Sequence, residues 1–488
     1  MRPGYEAVIG LEVHVQLLTK SKMFCACANK YGAEPNTLTC PICLGMPGTL
    51  PSLNAKAVDM VIAFGLAVDA EIRQKSRFYR KQYFYPDLPK GYQITQGPVA
   101  VVENGSLEIP GDAAVRGVEG VIRAGIERAH LEEDSGKSVH EARRSLVDLN
   151  RAGVPLLEIV GRPDLRSPKE AYDYLKALHR LVTALGICDG NMEEGSFRCD
   201  ANVSVRPKGQ EAFGTRVEIK NLNSFRYVRQ ALEYEVERHT GLLEAGSAPI
   251  QETRGWDTDK GESRVQREKA EAMDYRYFPE PDLPPLEISE AEIEAVRASM
   301  PELPSAHKAR FIAGYGLTDY EAGMLTQDRA FADYFEAAAK LCNNPKQACN
   351  WMLGELSRAI NERGGTIETL GISPEYLAEL IYLVDKKTIN LNTAKETLFP
   401  ALLAAEGSPG EIIEKRGLSQ ISDAGAIEAI VDGVLAAHPT QMSELRAGNT
   451  KLRGFLVGQI MKAGKGKVNP QIVNEILDGK LINSPNQN

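Results

Sequence analysis

Apolar residues keep one rhythm up to about residue 288 and another beyond it. The change falls at Tyr277–Pro285 (YFPEPDLPP), too rich in proline for a helix or a central strand. Before it, the runs LEVHV, AVVEN, SLVDL, LLEIV, CDANVSV and RVEIK alternate or are β-branched, with Gly, Pro, Asn and Asp between them, which predicts antiparallel strands. A helix is predicted after Ser167, where Pro168 and Glu170 complete a first-turn proline and a capping box. Ala171, Tyr174, Leu175, Leu178, Leu181, Val182 and Leu185 then repeat at helical spacing until Gly186. Beyond 288 the pattern is helical, with starts at Thr318–Glu321 and Ser373–Pro374, and a second break falls at Glu406–Pro409. The prediction is an α+β protein of three domains, an antiparallel-sheet domain over 1–288, an all-helical middle over 289–406 and a small helical tail over 407–488.

Composition is that of an ordinary globular chain, with 43% hydrophobic and 25% charged residues. The start lacks the pattern of a signal peptide, and the most apolar run, Val61–Val68, is far shorter than the roughly 20 residues of a membrane span. The expectation is therefore a cytoplasmic protein with no membrane partner. A net charge of -9 argues against indiscriminate nucleic-acid binding. Charge is nevertheless uneven: between Glu444 and Glu475 no acid occurs, while Arg446, Lys451, Arg453, Lys462, Lys465 and Lys467 supply six positive charges. Lys462, Lys465 and Lys467, on a glycine-rich loop after a helix over Thr450–Lys462, suit phosphate contacts; the bland alternative is a solvated helix face.

Four of the eight cysteines fall within nineteen residues, as Cys25-x-Cys27, twelve intervening residues and Cys40-x-x-Cys43. Four thiolates at this spacing can close a tetrahedron around a structural zinc and leave no open position for chemistry. The alternative is four free thiols in a reducing compartment. Cys188, Cys199, Cys342 and Cys349 are dispersed and read as core or incidental thiols.

Strand alternation separates Glu12, His14 and Gln16 from Leu11, Val13 and Val15, Asp200, Asn202 and Ser204 from Cys199, Ala201, Val203 and Val205, and Arg216, Glu218 and Lys220 from Val217 and Ile219. A polar face on one strand is ordinary. Acids, a histidine and amides on several strands suggest more. Glu158 stands inside the apolar run LLEIV, an expensive place for an acid unless a cation meets it. Glu132 and Glu133 precede the turn-like DSGKS. Gathered together, Glu12, His14, Glu132, Glu133, Glu158 and Asp200 could hold one or two magnesium ions; scattered, they are surface acids. The stretch RQKSRFYRKQYFYP interleaves cations, Lys81 among them, with aromatics that could grip phosphate, stack a base or fill a core. No Walker loop, Rossmann fingerprint, H-E-x-x-H or G-x-S-x-G occurs.

The blocks GLEVHVQL, YRKQYFYPDLPKGYQI, HLEEDSGKS, DLNRAGVPLLEIV, EEGSFRCDANVSVRP, EIKNLNSF, DYRYFPEPDLPP and GFLVGQIMKA stand in order from residue 10 to 463. In them the chain resembles the B subunits of aspartyl/glutamyl-tRNA(Asn/Gln) amidotransferases. The resemblance implies a cradle-shaped sheet domain without a P-loop and a tail that grips tRNA. It implies a ligase that phosphorylates the side-chain carboxylate of Asp or Glu on mischarged tRNA(Asn) or tRNA(Gln) with ATP. Amidation then uses ammonia from a glutaminase A subunit, with a small C subunit completing a heterotrimer. Carried over, the magnesium ligands are Glu12, His14, Glu132, Glu133, Glu158 and Asp200, the catalytic residues Lys81, Glu12, His14 and Glu133, and the nucleotide-binding residues Lys81, Glu158, Asn202 and Lys220. Cys25, Cys27, Cys40 and Cys43 hold zinc in members that keep the cluster. The rival readings are a non-catalytic, zinc-stapled RNA-binding scaffold and a metal-dependent hydrolase or nuclease using the same acids.

Overall fold

The computed structural model describes residues 4–482 except 98, 269–273, 420–422, 447 and 465–467. Lys465 and Lys467, expected in a phosphate-binding loop, lie outside the described residues. The chain divides into two compact units, Met1–Pro304 and Ser305–Asn488.

The first unit carries β1 (Tyr5–Gln16), β2 (Glu71–Ile72), β3 (Lys75–Ser76), β4 (Tyr79–Gln82), β5 (Tyr92–Thr95), β6 (Val102–Pro110), β7 (Val121–Glu133) and β8 (Lys137–Glu141). There follow β9 (Arg144–Asp148), β10 (Pro155–Gly161), β11 (Phe197–Pro207), β12 (Val217–Leu222), β13 (Glu252–Asp257), β14 (Glu262–Glu268), β15 (Phe278–Pro279) and β16 (Leu286–Glu287). Its helices are α1 (Ala55–Ala67), α2 (Ala113–Arg116), α3 (Pro168–Ala184), α4 (Phe225–Glu244) and α5 (Glu290–Ser299). A twelve-stranded sheet runs β14-β13-β12-β11-β1-β10-β7-β5-β4-β15, with β6 on β7 and β2 on β6; β8 and β9 form a separate hairpin. Neighbours are antiparallel except β12 and β13, which are parallel because α4 crosses between them.

The long central strand decides which face is wet. Ala7, Ile9, Leu11, Val13 and Val15 of β1 are fully buried and share one core with Ala171, Leu175 and Leu178 of α3 and Val228, Ala231 and Leu232 of α4. Each large apolar side chain so buried is worth about 1.5–3 kcal/mol. With one face covered by helices, alternation delivers the polar residues of β1, β10 and β11 to the other.

Helix α3 starts as predicted, with the Ser167 side chain accepting from Glu170 N–H at 3.2 Å. The reciprocal half of a capping box does not form. The Glu170 carboxylate is taken by the Arg116 guanidinium in two bonds of 2.8 Å and by the Asp112 and Arg166 N–H groups. A bidentate arginine outcompetes one backbone donor.

Helix α5 puts Ile293 and Val296 into the first core, so the first unit runs to Pro304, past the break at 288 expected from the proline-rich segment. Among its described residues the second unit is built of helices and their connections. It has one apolar core between Phe311 and Ile413 and smaller ones between Ile427 and Val473. The Thr318–Glu321 capping box and the Ser373 cap form as predicted. Among the described residues no helix is long and apolar enough to cross a membrane.

Candidate functional site

Register brings polar residues from distant parts of the sequence into one band across the open face. On β1, His14 pairs with Glu158 of β10, which pairs with His130 of β7; Glu12 pairs with Asp200 of β11. Thr95 of β5 pairs with Glu132, and Lys81 of β4 with Gln93. His14 Nε2 lies 3.5 Å from Glu158 Oε2, and His130 Nε2 lies 3.6 Å from the same oxygen and 3.7 Å from Glu132 Oε2. Farther along, Asn202 Nδ2 donates to Glu12 Oε1 at 2.9 Å and Lys220 Nζ to Asp200 Oδ2 at 2.7 Å. Lys81, Tyr277, His130, Glu132 and Glu158 line a cleft of roughly 690 Å³. One ligand atom each from His14, Glu132 and Glu158 falls within 4.8 Å of the others, a set that fits one hard divalent cation.

The band carries opposing charges that tune each other. Burial pushes the His14 imidazole down, but its bond to Glu158 and the charges of Glu158 and Glu132 prevail and hold it above the usual histidine range. Burial would raise Glu158, yet His14, His130 and Lys81 keep its carboxyl well below the usual range. Glu12 is raised by burial and then by the charge of Glu158. Lys81 and Lys220 are both opposed by burial and raised by neighbouring acids, Glu132 foremost for Lys81 and Asp200 for Lys220. Both lysines therefore stay charged. The Nδ1 atom of His130 is buried without a partner.

One expected member is elsewhere. Successive side chains of a strand point to opposite faces, so Glu133, directly after Glu132, leaves the band. Its carboxylate accepts from Lys90 and from Ile94 N–H, in a small cavity on the far side lined by Phe24, Cys43 and Gly153. Glu133 is thus removed from the set of acids that meet in the cleft. The next residue, Asp134, receives Gln16 at 2.8 Å and Arg198 at 2.7 Å; burial opposes its charge, but Arg198 and Arg151 hold it below the usual range.

Sequence reasoning did not single out His130, Asp134, Arg198, Lys90 or Lys22. His130 was detectable, being two residues from Glu132 on the same strand face. The other four depend on folding partners without a local pattern.

Cys25, Cys27, Cys40 and Cys43 bring their sulfurs within 4.8 Å of one another. Lys22 is fully buried, with Nζ 3.7 Å from Cys43 Sγ and 3.4 Å from the Leu149 carbonyl. A buried ammonium is costly unless a counter-charge meets it, and metal-bound thiolates supply one. A hydrogen bond from Cys25, the Cys40 N–H and the charge of Lys22 together hold the Cys43 thiol well below the usual range against burial, while burial pushes Cys27 up. The donor set and its buried cation fit a structural zinc.

The aromatic–cationic stretch resolves into separate fates. Phe78 is core, Arg80 grips Glu280 through bonds of 2.7 and 2.8 Å, and Lys81 faces the cleft with its ammonium 4.8 Å from the Tyr275 ring centre. In the second unit the helix Lys451–Ala463 buries Leu456 and Ile460. Arg453 is committed to Asp478 at 2.8 Å, whereas Lys462 is exposed.

Residues 7–294 match the family described as the GatB/GatE catalytic domain, and residues 333–481 match the GatB domain. A curated relative from Halorhodospira halophila is 55% identical over 484 residues, covering 98% of this chain and all of its own length. One from Thioalkalivibrio sulfidiphilus is 56% identical over 480 residues, covering 98% and 99%. Both carry the name of the B subunit of an aspartyl/glutamyl-tRNA(Asn/Gln) amidotransferase. With both of its units matched and relatives this similar along nearly their whole length, the chain belongs to the GatB family.

Proposed function

We propose that this chain is the ATP-using subunit of a cytoplasmic tRNA-dependent amidotransferase. The reading has it activate the side-chain carboxylate of Asp or Glu carried on tRNA(Asn) or tRNA(Gln). The convergence of Glu12, His14, Glu132, Glu158 and Asp200 on one open sheet face beside Lys81 carries it.

A carboxylate is a poor acyl donor because oxide would have to leave. A carboxylate oxygen attacks the γ-phosphorus of ATP, the bond to the bridging oxygen breaks, and ADP departs. Ammonia then attacks the acyl carbon, phosphate leaves, and nitrogen gives up a proton to yield the amide. Magnesium, when bound, offsets the charge of the triphosphate. His14, Glu132 and Glu158 would hold it, with Glu12 and Asp200 farther along the band; Glu133 is not among them. The Lys81 ammonium meets the transferred phosphoryl group, with the Tyr275 ring beside it and Tyr277 lining the same cleft. Asn202 and Lys220 hold Glu12 and Asp200 in place and complete the nucleotide contacts.

The ammonia source is a partner. Burial raises the Cys188 thiol to about 12 and Cys349 to about 11, which suits neither for nucleophilic glutamine hydrolysis. A glutaminase A subunit and a small C subunit in a heterotrimer fit this need. Cys25, Cys27, Cys40 and Cys43 would hold a structural zinc.

The test is phosphate transfer from γ-labelled ATP in the co-purified complex, with Asp-tRNA and Glu-tRNA offered separately. At least one substrate stimulates turnover, and Glu158→Gln or Asp200→Asn lowers it about a hundred-fold or more. Unchanged turnover in both variants sinks the catalytic reading in favour of a zinc-stapled scaffold.

A further inference from the structure

Two tyrosine-bearing segments nearly two hundred residues apart run side by side at the edge of the cleft. Tyr275 O accepts from Gln82 N–H at 3.0 Å, and Phe278 of β15 pairs with Arg80 of β4. Their rings form a row. Tyr277 lies 6.1 Å from Tyr275, Tyr275 lies 6.4 Å from Tyr83, and Tyr83 stacks on Tyr85 at 5.6 Å with planes 13° apart. The inner end, Tyr277, lines the cleft with Lys81 and Glu158. At the outer end Tyr85 is 49% exposed, and Phe84 beside it is 74% exposed.

Rings left in water at this density mark a binding surface. Their chemistry selects the ligand. Every nucleobase has a face that stacks on an aromatic ring, and unpaired strands are held by aromatics interleaved with cations. Here Lys81 sits over the Tyr275 ring and Arg276 is exposed between Tyr275 and Tyr277. The backbone at Arg276 adopts a φ of +46°, an uncommon conformation for a residue with a side chain. In the reaction proposed above the acyl group hangs from the terminal ribose of an unpaired 3′ end. Its carboxylate cannot reach Lys81 unless the last bases lie just outside the cleft.

We propose that the row Tyr277–Tyr275–Tyr83–Tyr85 is a stacking platform for the unpaired 3′-terminal nucleotides of the acylated tRNA. It feeds the terminal ribose into the acid-lined cleft. The inference rests on the tRNA reading and adds the site that positions the reacting end. Because stacking is indifferent to base identity, the platform contributes affinity and placement, and discrimination between tRNAs belongs elsewhere on the protein.

The experiment uses the assembled amidotransferase and tRNA(Asn) with 2-aminopurine in place of the terminal adenine. Binding quenches the fluorescence several-fold if the base stacks. Tyr85→Leu and Tyr277→Leu each raise KM for the acylated tRNA about ten-fold, more than they lower kcat, and Phe at either position restores it. Equal urea midpoints establish that the variants are folded. If Tyr277→Leu does not fold, the exposed Tyr85→Leu decides. Bound tRNA whose 2-aminopurine stays bright, or Leu variants with wild-type KM, overturns the platform and leaves the amidotransferase reading standing. Failure of tRNA to bind the wild-type complex overturns both. Leu variants that lose a partner subunit while the quench persists assign the rings to a protein interface and overturn the proposal.

Discussion

Glu132 and Glu133 adjoin in sequence and face opposite sides of the sheet, so the same substitution has different consequences at each. Glu132→Gln removes an oxygen anion from the cleft set and weakens magnesium binding, by an expected ten-fold or more in a calorimetric titration. Glu133→Gln leaves that affinity within about two-fold of wild type. It instead leaves the Lys90 ammonium buried without its counter-charge and costs about 3 kcal/mol in urea unfolding. An equal loss of magnesium affinity in both variants contradicts the placement. His14 adds a pH signature. Its imidazole is held above the usual histidine range, so it keeps a proton to higher pH than a free histidine, yet a metal ligand must be neutral. Magnesium binding to the protonated form therefore releases a proton, and affinity falls as pH is lowered. Titrations in buffers of different ionisation enthalpy measure this, and zero proton release removes His14 from the ligand set.

The cysteine loop and the β8–β9 hairpin are separate elements joined by amide side chains. Asn36 donates to the Val147 carbonyl at 3.0 Å and accepts from Leu149 N–H at 2.8 Å, while Asn150 donates to the Glu34 carbonyl at 2.7 Å and accepts from Leu38 N–H at 2.8 Å. A two-stranded hairpin is marginal in water by itself, so its base depends on a loop which, in the proposed reading, is set by zinc. Chelating the metal should raise hydrogen exchange across residues 137–150 at least ten-fold while β1 and β11 stay protected; an unchanged hairpin severs the link. Lys22→Met should also speed zinc loss to a chromogenic chelator about ten-fold, because the variant removes the cation beside Cys43. Much at this scale was legible: LEVHV, LLEIV, CDANVSV and all of RVEIK but Arg216 fall within strands because alternation encodes which face is buried. What the sequence hid was partner choice. The parallel pairing of β12 with β13 follows from the α4 crossover, and the missing half of the capping box follows from Arg116, fifty-four positions from Glu170. Neither leaves a trace in local spacing. The cleft shows the same division, for Glu12, His14, Glu158 and Asp200 announce a polar face while Lys90 and Arg198 acquire their roles only through register.

At the scale of the whole molecule, separate apolar cores predict separable tasks. The first core closes within Met1–Pro304 and includes Ile293 and Val296 of α5, so a cut after 288 would strip part of it and a cut after 304 would not. The acid-lined cleft lies wholly in this unit, whereas the acid-free stretch between Glu444 and Glu475 lies in the other. Not all of that positive charge is available, because Arg453 is paired with Asp478; Lys462 is exposed. Fragment 1–304 should therefore unfold in one cooperative urea transition and bind magnesium within about three-fold of the full chain. Fragment 1–288 should be less stable by several kcal/mol, at roughly 1.5–3 kcal/mol for each large apolar side chain lost from the core. Lysine and arginine contacts to phosphate release counterions, so they set how steeply affinity falls with salt. Within the assembled complex, deleting 407–488 should weaken tRNA binding ten-fold or more at physiological salt and flatten its salt dependence, while the 2-aminopurine quench at saturating tRNA persists. A deletion that keeps both the affinity and the salt slope of the intact complex would show that the tail carries none of the grip.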